Sequence, residues 1–317
     1  MHLQDWRCRL DTQVALKDKL HNPDEPVTFF EIVPPEAGKP DVIESTVREA
    51  LGVRHLVDAI NLPEILDEQR GSERTYRFVQ RLEPRLLGDR MRCEGEVETV
   101  VNRVVVHDAD PVRWFAESGE KYGVKHAILV GGESARKQYP GPGPAEVATR
   151  LRAAGFPLTL GGISIPSRAN EADRLRRKIA AGMSFFTTQV LFDSNDIVWL
   201  IQKLNGLEAR LFLSFAPVSH PGDLRFLRWL GVDLPPNLDR FLMGEGGSSS
   251  KETCFERSLD IAQRVLLDVF ENLPPDPPLI GLNVEHINRR NVSLAVRMLE
   301  RLGGLYSNLV AAHSRRP

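Results

Sequence analysis

The chain has 317 residues, 42% of them hydrophobic, and its 41 basic and 43 acidic side chains give a formal net charge of -2. This length and composition allow a large buried core, in one α/β barrel or in two ordinary domains. The nearly balanced charge provides no electrostatic footprint for nucleic acid or for an anionic membrane, so neither is expected as a partner.

Three cysteines, Cys8, Cys93 and Cys254, are widely spaced and form no C-x-x-C pair. This spacing indicates neither a disulfide framework nor a cysteine zinc site, and it is typical of a reducing compartment. No signal-peptide pattern follows Met1, and no window approaches the roughly 18 apolar residues of a membrane span. The sequence therefore predicts a cytoplasmic protein.

Short β-branched runs alternate with longer amphipathic segments along the whole chain, which predicts alternating strands and helices. The predicted strands are 27–33, 54–60, 100–106, 125–130, 157–163, 184–190, 210–215 and 278–284. The predicted helices are 3–20, 41–51, 72–82, 111–122, 145–154, 169–181, 194–204, 222–229, 251–272 and 291–302.

Strand-then-helix units repeat eight times without a break in composition. This pattern predicts a single-domain α/β fold, a (β/α)8 TIM barrel over residues 26–305, rather than two doubly wound halves. Residues 1–25 are expected to form an N-terminal extension whose helix covers the barrel floor. Residues 306–317 are expected to be a C-terminal tail.

Active sites of such barrels are built at the carboxyl ends of the strands, so the residues at these ends are the first candidates. Most of them are polar or glycine. In chain order they are Glu31, Asn61, His107, Asp108, Gly131, Gly132, Glu133, Gly161, Gly162, Ser164, Thr188, Gln189, Asn283, Glu285 and His286.

Glu31 is the most informative of these positions because it follows Phe29-Phe30 and precedes Ile32-Val33-Pro34-Pro35. A carboxyl among apolar side chains is costly to ionise, which raises its pKa toward the range of a general acid. The structural alternative is that Glu31 caps a helix or pairs with an arginine.

The other strand ends also have two interpretations each. His107 and Asp108 could hold a divalent metal, or the Asp-x-Asp-Pro run could cap the following helix. The paired glycines could relieve crowding, or let a flat ligand lie against the backbone. Gln189 could bond a neighbouring carbonyl, or read the edge of a heterocycle. In the run 176–178, Arg-Arg-Lys, the side chains could be solvated, or one could turn toward a phosphate or carboxylate.

Two blocks of this sequence are similar to a known family. The first is the run 30–35, Phe-Glu-Ile-Val-Pro-Pro, and the second is the run 177–182 followed by 187–193. They resemble the strand-one signature and the helix-five and strand-six block of the methylenetetrahydrofolate reductase family. Pro217-Val218-Ser219 and Asn288 also fit, and the similarity runs in order from about residue 27 to 303.

The resemblance implies reduction of 5,10-methylenetetrahydrofolate to 5-methyltetrahydrofolate by NAD(P)H, usually through bound FAD. Glu31 would deliver the proton that opens the folate ring. By similarity Gln189 would contact the pterin or nicotinamide, with Asn61 and Glu133 as further substrate contacts. The cofactor contacts would be Gly131, Gly132, Gly162, Ser164, Arg177 and Lys178, with Lys178 near the phosphates.

Several family positions that line the flavin differ here. The family's Arg-Gly-Asp after strand four is Gly131-Gly132-Glu133, its strand-three His aligns with Arg103, and its strand-two Thr-Tyr is Ile60-Asn61. Its Tyr-Pro-x-x-His-Pro pattern after strand five is replaced by the run 162–167. Either FAD is held by other contacts, or hydride passes directly from NAD(P)H to the folate.

Two alternatives from other classes stay open. One is a folate-binding or accessory barrel without activity of its own, and the other is a metal-dependent lyase that uses His107, Asp108 and Glu133. The sequence does not distinguish NADH from NADPH, and it is compatible with a homo-oligomer.

Overall fold

The computed structural model describes residues 15–68, 76–133, 137–247 and 249–315. Its strands are β1 (Thr28–Glu31), β2 (Ala59–Leu62), β3 (Thr99–Val104), β4 (His126–Val130), β5 (Thr159–Ser164), β6 (Met183–Val190), β7 (Arg210–Phe215) and β8 (Leu279–Glu285). Each strand pairs in parallel with the next, and β8 pairs with β1, so the sheet closes on itself. The predicted (β/α)8 barrel is confirmed.

One short helix precedes β1, and the other described helices follow strands around the outside of the barrel. They are α1 (Leu16–His21), α2 (Pro40–Val53), α3 (Pro84–Gly95), α4 (Pro111–Tyr122), α5 (Pro144–Ala153), α6 (Glu171–Ala180), α7 (Asn195–Lys203), α8 (Pro221–Trp229), α9 (Leu238–Met243), α10 (Lys251–Glu271) and α11 (Val292–His313). Several begin with proline, which suits the first helical turn because the N–H that proline lacks has no partner there. At the other end of α4, Gly123 takes a left-handed conformation at φ 58° and stops the helix.

Two predicted elements after β1 are displaced. The strand predicted at 54–60 begins only at Ala59, because α2 continues to Val53. In the helix predicted at 72–82, residues 72–75 lie outside the described residues and 76–82 are not helical. Arg81 instead forms an isolated antiparallel bridge with Glu36. The helix of this unit starts at Pro84, where proline begins a helix rather than ending one.

The prediction for the amino-terminal end is tested only in part, and the one for the carboxyl-terminal end differs from the structure. Residues 1–14, most of the helix predicted at 3–20, lie outside the described residues, and the described helix there is α1. At the other end, α11 runs on to His313 with Tyr306 and Val310 buried. The boundary predicted at residue 306 therefore falls inside a packed helix, because the apolar face of this helix continues past it.

The lower half of the barrel interior is filled by aromatic side chains. The rings of Phe29 and Phe212 stack with centroids 3.9 Å apart, and Phe185 meets each of them edge to face. Two glycines allow this packing: a Cβ on Gly161 would overlap the ring of Phe185, and one on Gly281 would overlap Phe212. The interior therefore has an apolar floor beneath the carboxyl ends of the strands.

Helix α1 closes the opposite, amino-terminal end of the barrel. Leu16 and Leu20 are buried in the same apolar cluster as Phe29. The Arg210 guanidinium of β7 is 1% exposed and donates to backbone carbonyls at Lys19, Leu20, Asn22, Glu25 and Ile280. Carbonyls at the end of a helix carry partial negative charge, which suits this buried cation.

Candidate active site

A cavity of about 1590 Å³ opens at the carboxyl ends of the strands. Its wall includes Glu31 from β1, Val130 from β4, Gln189 from β6 and Glu285 from β8. The loops that follow these strands complete the wall. This is the end of the barrel at which the chemistry of such folds is located.

Two carboxyls lie side by side in this cavity. Glu31 ends β1, Glu285 ends β8, and the two residues are register partners in the parallel pair of strands. Side chains alternate between the two faces of a strand. Since Phe29 points into the barrel, Glu31 points inward as well. Both carboxyls therefore stand above the phenylalanine floor.

Each carboxyl accepts a hydrogen bond from a buried asparagine. Asn61 Nδ2 donates to Glu31 Oε2 at 2.8 Å, and Asn283 Nδ2 donates to Glu285 Oε1 at 3.1 Å. Asn283 also donates to Ser214 Oγ at 2.9 Å. The two asparagines hold the carboxyls in place from β2 and β8.

The pKa values of both carboxyls are raised. Burial raises the pKa of Glu31 well above the usual value of a glutamate, and the charge of Glu285 raises it further. Burial raises the pKa of Glu285 to about 7, although hydrogen bonds from Ser214 and Asn283 act to lower it. Near neutral pH the site can therefore hold a protonated carboxyl, as a general acid requires.

His286 follows Glu285 and is neutral. Its Nε2 accepts a hydrogen bond from the backbone N–H of Val33 at 3.2 Å, so this nitrogen carries no proton. Burial lowers the pKa of His286 to about 4. The imidazole therefore links β8 to the segment after β1 without adding a charge beside the carboxyls.

Three buried amide oxygens in the barrel have no donor. They are the Oδ1 atoms of Asn61, Asn102 and Asn283, which lack a hydrogen-bond partner within the described part of the chain. Buried polar atoms are normally paired. Of the three residues, Asn102 lines the cavity, so its oxygen can accept from an N–H donor of a ligand or from water.

Basic side chains form the wall on the β5 side. Arg168, Arg174, Arg177 and Lys178 all line the cavity there. Lys178 donates to the carbonyl of Ile163 at 2.6 Å. Burial lowers the pKa of Lys178 to about 8, although Glu171 acts in the opposite direction. In a closed barrel of eight strands β5 lies across from β1, so this basic wall faces the carboxyl pair.

Gln189 and Glu133 also line the cavity. Gln189 lies where the pairing of β6 with β7 shifts register, and its amide donates to the carbonyl of Leu230 at 3.1 Å. Such irregularities re-aim side chains beside functional sites. The Glu133 carboxylate accepts from Lys137 Nζ at 2.8 Å. Gln189 therefore makes the expected bond to a carbonyl and also lies in the cavity wall, and its contact with a heterocycle stays a prediction.

The glycine and serine positions divide between the cavity and the core. Gly131 and Gly132 line the cavity, but the ring of Tyr139 lies against Gly132 where a Cβ would be. Gly162 faces Met183 and Phe186, and the buried Ser164 lies on the same side of β5. Neither Gly162 nor Ser164 belongs to the cavity wall, which takes Ile163 and Ile165 from this segment. The predicted contacts Gly162 and Ser164 are therefore each one residue away, along β5, from the residues that face the cavity.

Two other predicted positions have supporting roles. Asn61 is fully buried beside Glu31 rather than in the cavity wall. Arg103, which aligns with the family's strand-three His, points outward and packs over Trp114 at 4.8 Å. The inward position of β3 is Asn102, which does line the cavity.

The residues of the alternative metal site contact other side chains instead of one another. His107 meets the ring of Tyr139, and Asp108 Oδ2 accepts from Arg103. Within the described residues no three His, Cys, Asp or Glu side chains converge as a metal site would require. Asp108, not Asp110, provides the local turn, since its Oδ1 accepts from the N–H of Asp110 at 3.0 Å.

Sequence reasoning missed Glu285 as a functional residue, although it was among the strand ends. The signal was present: Glu285 follows the apolar run 279–284, interrupted by Gly281 and Asn283, as Glu31 follows Phe29 and Phe30. What the sequence did not give was the register that sets the two glutamates side by side.

Fold and site together define a (β/α)8 barrel with an acidic pair facing a basic wall across its mouth. No family model matches the sequence, and no curated protein matches it. Among solved structures, the chain is similar to an uncharacterized protein from Clostridium thermocellum that binds two copies of 5-methyl-5,6,7,8-tetrahydrofolic acid. The two are 16% identical, with a TM-score of 0.70 over 92% of this chain and 100% of the other. A likeness at this identity shows the shared barrel fold.

Within the described residues, no helix combines the length and apolar character needed to cross a bilayer.

Proposed function

We propose that this barrel binds a reduced folate in its cavity and reduces 5,10-methylenetetrahydrofolate to 5-methyltetrahydrofolate with NAD(P)H. The observation that carries the proposal is Glu31, a carboxyl with a raised pKa at the carboxyl end of β1. Two facts support the choice of substrate. The sequence around Glu31 resembles that of methylenetetrahydrofolate reductases, and a protein of the same fold binds 5-methyltetrahydrofolate.

Ring opening is the step that needs the acid. The carbon that bridges N5 and N10 of the folate must leave N10 before it can accept a hydride. The bond to N10 breaks with its electron pair remaining on N10, and the Glu31 carboxyl gives N10 its proton. The N5 lone pair then forms the double bond of a cationic iminium.

The hydrogen-bond acceptors of the cavity wall suit a pterin. A tetrahydropterin carries several N–H donors on one ring edge, and the site offers acceptors for them. The Oδ1 of Asn102, in the cavity wall, has no donor within the described residues, and Glu133 and Gln189 lie in the same wall. Such acceptors fix the orientation of a ring and discriminate against rings that lack the donors.

The basic wall fits the pyrophosphate of a dinucleotide. Arg177 and Lys178 are both predicted cofactor contacts, with Lys178 near the phosphates, and Arg168 and Arg174 line the same wall. FAD and NAD(P)H both contain this pyrophosphate, and either supplies redox chemistry that the protein itself lacks. With Gly162 and Ser164 directed elsewhere and Tyr139 against Gly132, the residues that would hold the dinucleotide are these cations.

The test is turnover by wild type and Glu31→Gln, with NAD(P)H oxidation followed after addition of methylenetetrahydrofolate, with and without FAD. The variant should keep its fold and its affinity for 5-methyltetrahydrofolate while turnover falls roughly 10²-fold or more. The matched control is Glu256→Gln, which removes an exposed carboxylate paired with Arg297 on the outside of the barrel.

Each result decides between the open alternatives. A yellow wild-type preparation whose flavin absorbance bleaches anaerobically with NADH supports FAD as carrier, whereas a colourless but active one supports direct hydride transfer. Tight folate binding with no NAD(P)H oxidation under any of these conditions would replace the reductase with a folate-binding barrel.

A further inference from the structure

The proposed reaction gives no role to the carboxyl that lies beside Glu31. Glu285 is the register partner of Glu31, faces the same cavity and, like Glu31, is bonded by an asparagine amide. The family resemblance gives a role to Glu31 alone. A second enclosed carboxyl beside it is costly to ionise, since the charges repel in a poorly solvated place.

We infer that Glu285 is a second catalytic carboxyl, which shares one proton with Glu31 and, when ionised, stabilises the positive charge that ring opening creates at N5 of the folate. The inference rests on the proposed function and divides its chemistry between two groups. Glu31 provides the acid, and Glu285 provides the counter-charge.

The surroundings of the pair support a single shared proton. The neighbouring strands offer only neutral side chains next to it, Asn61 on β2 and Ser214 on β7. His286 is neutral because its pKa is about 4. A pair in this setting holds one proton and one negative charge near neutral pH, as paired carboxyls in other enzymes do.

Cations outside the basic wall also line the cavity: Arg81, Arg225, Lys251, Arg289 and Arg290. Arg289 follows β8 but donates to Glu49 and Ser45, and its neighbour Arg290 is on the same loop. Lys178 and the other basic wall residues follow β5, across the barrel. Among the described residues, the pKa of Glu285 is shifted by burial and by hydrogen bonds from Ser214 and Asn283, and by no cation. The iminium of the substrate would then supply the positive charge opposite Glu285.

The step balances in protons and electrons. Before it, the pair carries one proton and one negative charge, and the folate centre is neutral. The proton passes from Glu31 to N10, the electron pair of the broken bond stays on N10, and N5 becomes a cationic iminium. The pair then carries two negative charges facing one positive charge, and an ionised carboxyl placed there in advance lowers the barrier. Hydride addition removes the cation, and solvent returns the proton.

The experiment compares wild type with Glu285→Gln, Glu285→Asp and the exposed control Glu256→Gln. In Glu285→Gln we expect kcat for methylenetetrahydrofolate to fall roughly 10²-fold, with little change in KM. The alkaline limb of the kcat/KM profile should move to lower pH, because the loss of the neighbouring charge lowers the pKa of Glu31. Glu285→Asp should restore part of kcat and part of the pH of the alkaline limb. A kcat and an alkaline limb equal to those of Glu256→Gln would overturn the inference.

A second measurement separates this inference from the proposed function. Carboxyl ¹³C NMR of glutamate-labelled protein follows Glu31 without turnover, with Glu31→Gln to assign its signal. The Glu31 midpoint should fall in Glu285→Gln, and an unchanged midpoint would refute proton sharing. If the wild type bound 5-methyltetrahydrofolate but oxidised no NAD(P)H, the proposed function and the counter-charge role would both fail, and this midpoint would decide proton sharing by itself.

Discussion

The behaviour of each glutamate in this protein depends on what surrounds its carboxyl. Glu256 lies on the outside of the barrel beside Arg297, where a carboxylate is fully compatible with water. Glu31 and Glu285 stand above aromatic rings, with amides as partners and each other's charge nearby. The same side chain is therefore an ordinary surface anion in one place and a carboxyl with a raised pKa in the other.

The charge of Lys178, in the basic wall, should likewise depend on the burial of its side chain. Its pKa of about 8 means that the ammonium is charged below this pH and loses its charge as the pH rises through it. NADH binding should therefore weaken above about pH 8, by roughly tenfold for the loss of one charged contact to phosphate. Fluorescence titration of NADH across this range measures the effect.

Two variants test the assignment to Lys178. Lys178→Arg keeps its charge and should flatten the pH dependence, whereas Lys178→Met should bind weakly at every pH. A wild-type pH dependence that persists in Lys178→Arg would assign the titration to another group.

At the scale of the element, the direction of each side chain follows from its place in the strand. In β5, Ile163 faces the cavity while Gly162 and Ser164 face the helices. A shift of one residue exchanges the two sets completely. This is why a list of residues near a strand end is a weaker prediction than the identity of the strand itself.

The glycines of the barrel interior should tolerate no methyl group. Gly161→Ala and Gly281→Ala each place a Cβ against a phenylalanine ring of the floor. Such overpacking typically costs about 1–3 kcal/mol. Urea unfolding should show a lower midpoint for both variants. The matched control is Gly303→Ala in α11, where a Cβ meets nothing within 4 Å and alanine should stabilise by about 0.5–1 kcal/mol. Equal stability of all three variants would contradict a close-packed floor.

Much of the architecture was predictable because the local signals agree with the fold. The run 210–215 was placed to the residue, since continuous apolar character between turn signals is typical of a buried parallel strand. Helix α4 was also placed to the residue, because Pro111 and Gly123 mark its two ends. The helix predicted after β2 is misplaced, because the amphipathic pattern at 72–82 was a stronger helix signal than Pro84, the proline that begins α3.

The site was predictable only in part. Glu31 stood out from its immediate neighbours in the sequence. The pairing of Glu31 with Glu285 depends on strand register across 254 positions of chain, which no local pattern encodes. The inward position of Asn102, next to the more conspicuous Arg103, likewise depends on the phase of β3.

For the whole molecule, the closed amino-terminal end of the barrel depends on one buried cation. Arg210 joins α1, the segment before β1 and β8 by donating to their backbone carbonyls. Arg210→Met would remove these donors and leave the carbonyls buried. We expect a loss of about 3 kcal/mol or more in the free energy of unfolding, together with faster hydrogen exchange in α1.

The comparison for this variant is Arg264→Met on the outer surface. Arg264 is 73% exposed and pairs only with Asp260 in the described structure. Its loss should change the free energy of unfolding by about 0.5 kcal/mol or less. Equal effects of the two substitutions would show that α1 is held by its leucines rather than by Arg210.

The phenylalanine floor and α1 together make the cavity blind-ended. A ligand has no exit toward the amino-terminal face, so everything that enters through the mouth must leave the same way. When two ligands occupy the cavity in line, the deeper one has to arrive first and depart last. A barrel closed at one end therefore fixes the order in which two ligands bind and leave. The order of binding, measured by steady-state kinetics, then shows which ligand lies nearer to the rings of Phe29 and Phe212.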